Sequence, residues 1–351
     1  MKEPGKIQHD FFEDTILQNC GYRRSEVSTG PGFGVDVSVI DLPNGLAMAM
    51  ASDPLSLIPS LGLEESAWLS IYLMANDIAT TGFLPMYGQF VLNLPLHFSS
   101  ADFRVYWNHI HKICKQLGIA ITGGHTGFIE GQNSTIAGGG TLISIALKEQ
   151  ILVSKYAKAS NVILVTKQCA ISSSSILAMS FPETVKNKLG KEVFDEGCSL
   201  FYKTSSVEDA IIAVGKGETR HSEITAMHDV TEGGVLGAIY EMAIASGTGA
   251  HIYNDYLPIG ETQKQICSLF SIDPRLSIGA GSMIIAVEAG SENKVIERLQ
   301  QQGIDCVAVG ELTDVEKGVK LIDENGEANI PYSGKDPYWA AFSNAYKAGW
   351  K

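Results

Sequence analysis

"MHDVTEGGVLGAIYEMA", residues 227–243, is one of two dense clusters of polar and glycine residues in this 351-residue chain. His228 and Asp229 close an apolar run, Thr231 and Glu232 precede Gly233-Gly234, and a helix is predicted from there to Ala245. Strand, short polar loop and helix start make an anion site, because free backbone N–H groups and the helix dipole point at the ligand. A Thr-capped helix with an acidic first turn would give the same letters. The stretch matches neither GxGxxG with a ribose-binding acid nor the GxxxxGK[ST] phosphate loop, and the short GKGE at 215–218 lacks the right context.

A second glycine site lies at "GIAITGGHTG", residues 118–127. A short strand, Ile119 to Ile121, runs through Thr122 into Gly123-Gly124 and then His125. Two glycines at a strand end predict a tight turn or a close backbone approach. His125 itself reads as a metal ligand, a neutral phosphate contact or a filler. The following GFIEGQN is expected to be a loop.

Upstream, GVDVSVIDL (34–42) alternates, with Val35, Val37 and Val39 on one face and Asp36 and Ser38 on the other. LAMAMAS (46–52) is a second strand, and Pro43-Asn44-Gly45 between them is a strong hairpin signal. A two-residue Asn-Gly turn would place Asp36 opposite Asp53, and a one-residue change in the loop would offset them but leave them neighbours. Like charges so placed repel, and a shared cation would remove the repulsion. Two solvated carboxylates at a frayed strand end are the alternative.

Residues 64–81 predict a helix from Trp68, Ile71, Tyr72, Ala75, Ile78 and Ala79, ended by Gly82 and Pro85. Asn76 and Asp77 are poor helix formers in that apolar setting. They are expected either to bond neighbouring backbone or to reach the same ion as Asp36 and Asp53. A strand at 89–94 and a helix at 101–117 follow, the helix with Ser99-x-x-Asp102 as capping box and Gly118 as stop. The first half thus reads β-β-α-β-α-β-β. The pattern breaks over KEQILVSKYAKAS (148–160), which sets domains of 1–149 and 150–351. The second half predicts strands at 162–166, up to 227, 250–253, 282–287 and 304–309, with helices at 183–202, 206–214 and 291–302. Two α+β halves of similar size suggest a duplicated organisation.

A net charge of −13 argues against nucleic acid or anionic membrane as partners, though a nucleotide is compatible with it. Six scattered cysteines without a CxxC pair suit a reducing compartment, and no run reaches the ~18 apolar residues of a membrane span. The N-terminus has no signal-peptide core, so a cytoplasmic protein is expected. His109 and His111 do not share a helix face, no HExxH or GxSxG is present, and the serines of AISSSSILA (170–178) have no evident base.

In their order along the chain these clusters resemble the aminoimidazole ribonucleotide (AIR) synthase-like, or PurM-like, superfamily. GVDVSVI resembles its GxDAAVI strand, ASDP its TTD, ANDIATTGFLP its VNDxAxMGAxP and ITGGHTG its GGDT or GGET. MHDVTEGGVLGAIYEMA and SIGAGSMIIAV resemble the MRDPTRGGLxxxLNEIA and ASGxLLIAV of the hydrogenase expression/formation branch, HypE, and the resemblance runs from Gly5-Lys6 to about Asp323. It implies an α+β fold of two domains, the first forming a β-barrel across a homodimer and the second an α/β sandwich. It also implies ATP and Mg²⁺. Asp36, Asp53 and Asp77 would hold the metal. Gly34, Asn76, Gly123, Gly124, His125, Thr126, Asp229, Gly233 and Gly234 would lie by the nucleotide and its phosphates, with no catalytic residue assigned. His125 stands where relatives place Asp or Glu. Imidazole is a poor Mg²⁺ ligand, so a hydrogen bond to phosphate or a neighbouring carboxylate is expected of it.

The chain departs from each branch. It lacks the GVGTK signature and SxGxHSNG loop of AIR synthase, and the GDHG and terminal cysteine of HypE, ending instead in NAYKAGWK. Cys20-Gly21 is its nearest match to the reactive segment of selenophosphate synthetase. The implied activity is ATP-dependent activation of a substrate oxygen by phosphoryl transfer, on a small molecule or a peptide, with a metallocentre or hydrogenase maturation role. The alternatives are a thiamine-monophosphate kinase-like or AIR synthase-like metabolic enzyme, and a non-catalytic nucleotide-binding assembly protein.

Overall fold

The computed structural model describes residues 5–7, 9–55, 57–131, 137–215, 222–332 and 334–351. The chain forms two compact units. The larger comprises Met1–Arg24, Pro31–Asp36 and Leu152–Lys351, the smaller Ser25–Gly30 and Val37–Ile151. The N-terminal helix α1 (His9–Thr15) belongs to the larger unit.

The smaller unit follows the predicted order with one strand added: β1 (Val27–Thr29), β2 (Ser38–Asp41), β3 (Leu46–Pro54), α2 (Leu63–Ala79), β4 (Tyr87–Pro95), α3 (Ser100–Leu117), β5 (Ala120–Ile129) and β6 (Ala137–Leu147). Its sheet runs β1-β2-β3-β6-β4-β5 and is antiparallel except between β4 and β5. α2 is apolar nearly all round because it is covered on two sides, by the sheet and by α3. A buried Ser70 Oγ to Tyr106 Oη contact at 2.8 Å joins the two helices. α3 begins and ends as predicted: Ser99 Oγ accepts the Asp102 amide at 3.0 Å, and Gly118 closes it at φ +77°.

Three expectations change here. The hairpin register sums to 88 rather than 89, because Pro43-Asn44-Gly45 makes a three-residue turn with Asn44 and Gly45 at φ +62° and +75°. The ladder starts at Ser38↔Met50, so β2 and β3 do not set Asp36 opposite Asp53. GGHT is not a loop. It lies inside β5, which pairs in parallel with β4 through Gly123↔Gln89, Gly124↔Phe90, His125↔Val91 and Thr126↔Leu92. The pairing continues to Ile129, so the start of GFIEGQN is strand as well, while Gln132 and Asn133 lie outside the described residues. Among the described residues no closed barrel forms, since β1 and β5 each have one neighbour and the sheet keeps two edges.

The larger unit carries β7 (Val162–Thr166), α4 (Ile171–Ser180), α5 (Pro182–Leu189), α6 (Lys191–Ser199), α7 (Val207–Val214), β8 (Ile224–Asp229), α8 (Gly234–Ser246), β9 (Gly249–Tyr253), α9 (Glu261–Leu269), β10 (Met283–Val287), α10 (Glu292–Gln300), β11 (Cys306–Thr313), β12 (Val319–Asp323), β13 (Gly326–Asn329) and α11 (Pro337–Lys347). The helix expected over 183–202 is split at Gly190, whose φ is +93°. The sheet order is β13-β12-β9-β11-β7-β10-β8. All five residues of β10 are buried, as befits a strand covered on both faces. Val235, Leu236, Ile239 and Met242 of α8 pack with Ile163, Val165, Ile252 and Ile284 of the sheet. Of the GKGE stretch only Gly215 is described. Among the described residues no helix is long and apolar enough to cross a membrane.

The β5 glycines differ sharply. At Gly124, φ is +141° and a Cβ would stand 1.8 Å from the Phe90 carbonyl oxygen, whereas a Cβ at Gly123 meets nothing within 4 Å. Gly124→Ala is therefore expected to lose about 3 kcal/mol of unfolding free energy, and Gly123→Ala less than about 1 kcal/mol. Urea denaturation of the two variants checks this, and equal losses would contradict the strand assignment.

Candidate functional site

In the larger unit β8 ends in two buried polar residues, His228 at 1% and Asp229 at 3% exposure. The His228 ring lies between two carboxylates. Its Nδ1 stands 2.9 Å from Asp36 Oδ2 and 3.1 Å from Ser154 Oγ, and its Nε2 stands 3.3 Å from Glu241 Oε2 on α8. Burial alone would lower the pKa of this imidazole. Asp36 and Glu241 outweigh it and push the value up to about 10, so His228 is an imidazolium at neutral pH. Burial would likewise raise Glu241, but Lys6 and His228 bring it below the ordinary carboxylate range.

Asp36 reaches this position through Gly34. Gly34 has φ +70°, and a Cβ there would stand 2.2 Å from the carbonyl oxygen of Glu241. The glycine lets segment 31–36 lie directly on α8, a packing role that its place in the motif did not disclose. One carboxylate oxygen each from Asp36 and Asp229 come within 4.8 Å of one another. Lys6 adds a second cation: its Nζ stands 3.3 Å from Thr231 Oγ1 and 3.5 Å from Glu241, and its backbone N–H donates to Glu232 Oε2 at 2.9 Å. Tyr332 Oη approaches Glu241 Oε1 at 3.5 Å.

The head of α8 differs from expectation. Its N-cap is Gly233 at φ +87°, without a side-chain cap, and Thr231 serves Lys6 instead. The Gly233 N–H donates to Asp336 Oδ2 at 2.7 Å, and the Leu236 N–H to the Arg275 carbonyl at 3.1 Å. The chain's own acceptors thus take amides that were expected to face a ligand. Gly234, at φ +62°, lets the Arg275 backbone approach to 2.6 Å of where a Cβ would be.

In the smaller unit Asn76 is fully buried and Asp77 half-buried in the last turn of α2. Asp53 on β3 pairs with Gly140, Gly140 with Phe90, and Phe90 with Gly124. Asp53 and Gly124 therefore share one row across the sheet at three strand spacings, ~14 Å. The ladder does not bring the GGHT segment beside Asp53. Gly140 accounts for the close seat of α2, since a Cβ there would be 2.7 Å from Met74 Cε. His125 and Thr126 are exposed on the edge strand, and a side chain at Gly127 would come within 3.2 Å of His125 Nε2.

Residues 34–146 match the family model "AIR synthase related protein, N-terminal domain", and residues 158–322 match its C-terminal counterpart. The chain belongs to the AIR synthase related family. A protein of Methanocaldococcus jannaschii described as a hydrogenase expression/formation protein is 24% identical over 324 residues, covering 90% of each chain. The crystal structure of a HypE–HypF complex superposes with a TM-score of 0.71 at 20% identity, over 91% of this chain and 98% of that one. HypE in complex with ATP gives 0.65 at 17% identity, over 95% and 97%. HypE-like proteins are thus near relatives in sequence and in fold.

Sequence reasoning found Asp36, Asp229 and the glycines but not Lys6, Glu241, Tyr332 or Asp336. The one available signal was a lone acid, Glu241, on an otherwise apolar helix. His228→Gln is expected to cost about 3–5 kcal/mol, because it leaves two buried carboxylates without their shared cation. The pKa of His228 is raised on folding, so its contribution is complete below about 6.5 and lost as pH rises through about 10. Unfolding free energies from pH 6 to 10.5 should show this fall in the wild type and not in the variant.

Proposed function

We propose that the chain is an ATP- and Mg²⁺-dependent enzyme of the HypE-like type that activates a substrate oxygen by phosphoryl transfer, in metallocentre or hydrogenase maturation. The observation that carries this reading is the pair of half-buried Asp36 and buried Asp229, with oxygens within 4.8 Å on an imidazolium-braced floor. The donor set fits the ion. Mg²⁺ takes oxygen ligands, and two carboxylates this close repel unless a cation stands by them. The complex of HypE with ATP, and the description of the archaeal relative, support the nucleotide and the maturation role.

ATP, when bound with Mg²⁺, would supply the phosphoryl group and the charge that neutralises it. Asp36, Asp53 and Asp77 are the proposed metal carboxylates, and the nearness of Asp229 to Asp36 adds Asp229 to them. Asn76, Gly123, Gly124, His125, Thr126, Asp229, Gly233 and Gly234 are the proposed neighbours of the nucleotide. His228, whose Nδ1 stands 2.9 Å from Asp36 Oδ2, sets a buried positive charge beside that carboxylate. Lys6 holds Thr231 and Glu241 in place and brings a positive charge to the same floor. Gly34 keeps the 31–36 segment against α8. The work of these residues is positioning and charge compensation.

A homodimer through the smaller unit is part of the proposal. Tyr87 and Val91 on β4 and Phe128 and Ile129 on β5 are 36–51% exposed, an apolar edge suited to a second copy. The HypE–HypF complex supports a protein partner in addition. A second reading, a nucleotide-binding assembly protein without turnover, is favoured by the Gly233 amide being held by Asp336.

Calorimetric titration with ATP is expected to show binding that needs Mg²⁺, with Asp53→Asn at least tenfold weaker. Absence of binding with metal present would end the proposal, and an unchanged Asp53→Asn would remove Asp53 from the metal set. ATP consumption with candidate substrates separates the two readings.

A further inference from the structure

One carboxylate in the larger unit serves two helices at once. Asp336, 8% exposed, accepts the Gly233 N–H on Oδ2 at 2.7 Å and the Tyr338 N–H on Oδ1 at 2.8 Å. The first contact holds the head of α8, and the second caps α11, whose first residue is Pro337. Four residues earlier, the Tyr332 ring lies against the same loop. A Cβ at Gly233 would stand 2.5 Å from Tyr332 Cε2, one at Gly237 3.3 Å from it, and the ring packs on Tyr240 at 5.5 Å between centroids. Gly5 and Trp339 close in from the side, with a Cβ at Gly5 3.0 Å from Glu232 Oε2 and 3.2 Å from Trp339 Cδ1. The loop carrying Thr231, Glu232 and Gly233 is therefore held by Lys6 on one side and by the C-terminal segment on the other, and Asp336 is the carboxylate by which that segment fastens it.

We propose that Tyr332 and residues 334–347 form a latch on the 230–234 loop, fastened by Asp336, and that the latch opens by transferring the Asp336 carboxylate to water. Burial pushes this carboxyl up to about 6, against the pull of the Gly233, Tyr338 and Ile278 amides and with Glu232 adding like charge. The titratable groups facing it are Glu232 in the loop, Tyr332 before it, Tyr338 on α11 and Cys267 on α9. Burial raises both tyrosines and takes Cys267 up to about 12, so these three stay neutral through the acid and neutral range. In water the Asp336 carboxyl returns to about 3.9. The closed latch then binds the proton more tightly than the open one, so acid closes it and a rise through pH 6 loosens it.

Hydrogen exchange of the full chain without nucleotide tests this, comparing pH 5 with pH 8 after correction for intrinsic exchange rates. Peptides covering 230–237 are expected to be about tenfold better protected at pH 5. Asp336→Asn is expected to flatten that dependence, and Glu232→Gln to retain it. Equal wild-type protection at both pH values overturns the latch. So does an Asp336→Asn chain that keeps the dependence, or a Glu232→Gln chain that loses it. Should Asp336→Asn fail to fold, the wild type and Glu232→Gln decide the matter. The readout involves no ATP, so it stands or falls apart from the proposed activity.

Discussion

His228 is the constraint on which the larger unit's polar interior depends. A protonated imidazole between Asp36 and Glu241 is costly to bury, and each carboxylate alone would be costlier. Together they form a compensated set that Lys6 extends by one more charge. The consequence is geometric. Asp36 is pinned from one side by the His228 ring and from behind by Gly34, so its carboxylate has a fixed direction before any ligand arrives. Preorganisation of this kind lets a charged ligand be met without reordering the protein.

Glycine supplies the second theme. At Gly34, Gly124 and Gly234 the backbone has positive φ, and a Cβ would stand 2.2, 1.8 and 2.6 Å from a carbonyl oxygen of Glu241, Phe90 and Arg275. These positions are fixed by backbone-to-backbone contact, which no side chain tolerates. Glycine-rich motifs in this chain thus mark places where segments touch, and contact with a phosphate is a further property that such closeness permits. Gly123 and Gly233 show the contrast, the first facing open space and the second facing the movable Tyr332 ring.

The elements were legible wherever periodicity and caps agreed. α3 could be read from Ser99, Asp102 and Gly118, and β7 from four apolar letters and a threonine between turn signals. Of the two readings of the GGHT glycines, the turn fails and the close backbone approach holds at Gly124, because the partner strand that keeps β5 extended is 34 residues away at Gly88–Gln89. The hairpin slipped by one residue because Asn44-Gly45 took Pro43 into the turn, a local choice among turns of similar cost. The site was half legible. Asp36 and Asp229 stand in recognisable motifs, but Lys6 and Asp336 lie 225 and 103 residues from the loop residues they contact, and nothing local announces such contacts.

A chain of net charge −13 would gain from binding cations or cationic groups, yet its larger unit satisfies part of that demand internally. Lys6 and His228 neutralise Glu241 and Asp36, and Asp336 takes the amide that a ligand anion would otherwise take. Internal partners of this kind fasten the loop in the ligand-free chain. They also set a threshold: an anion approaching the Gly233 amide must displace Asp336.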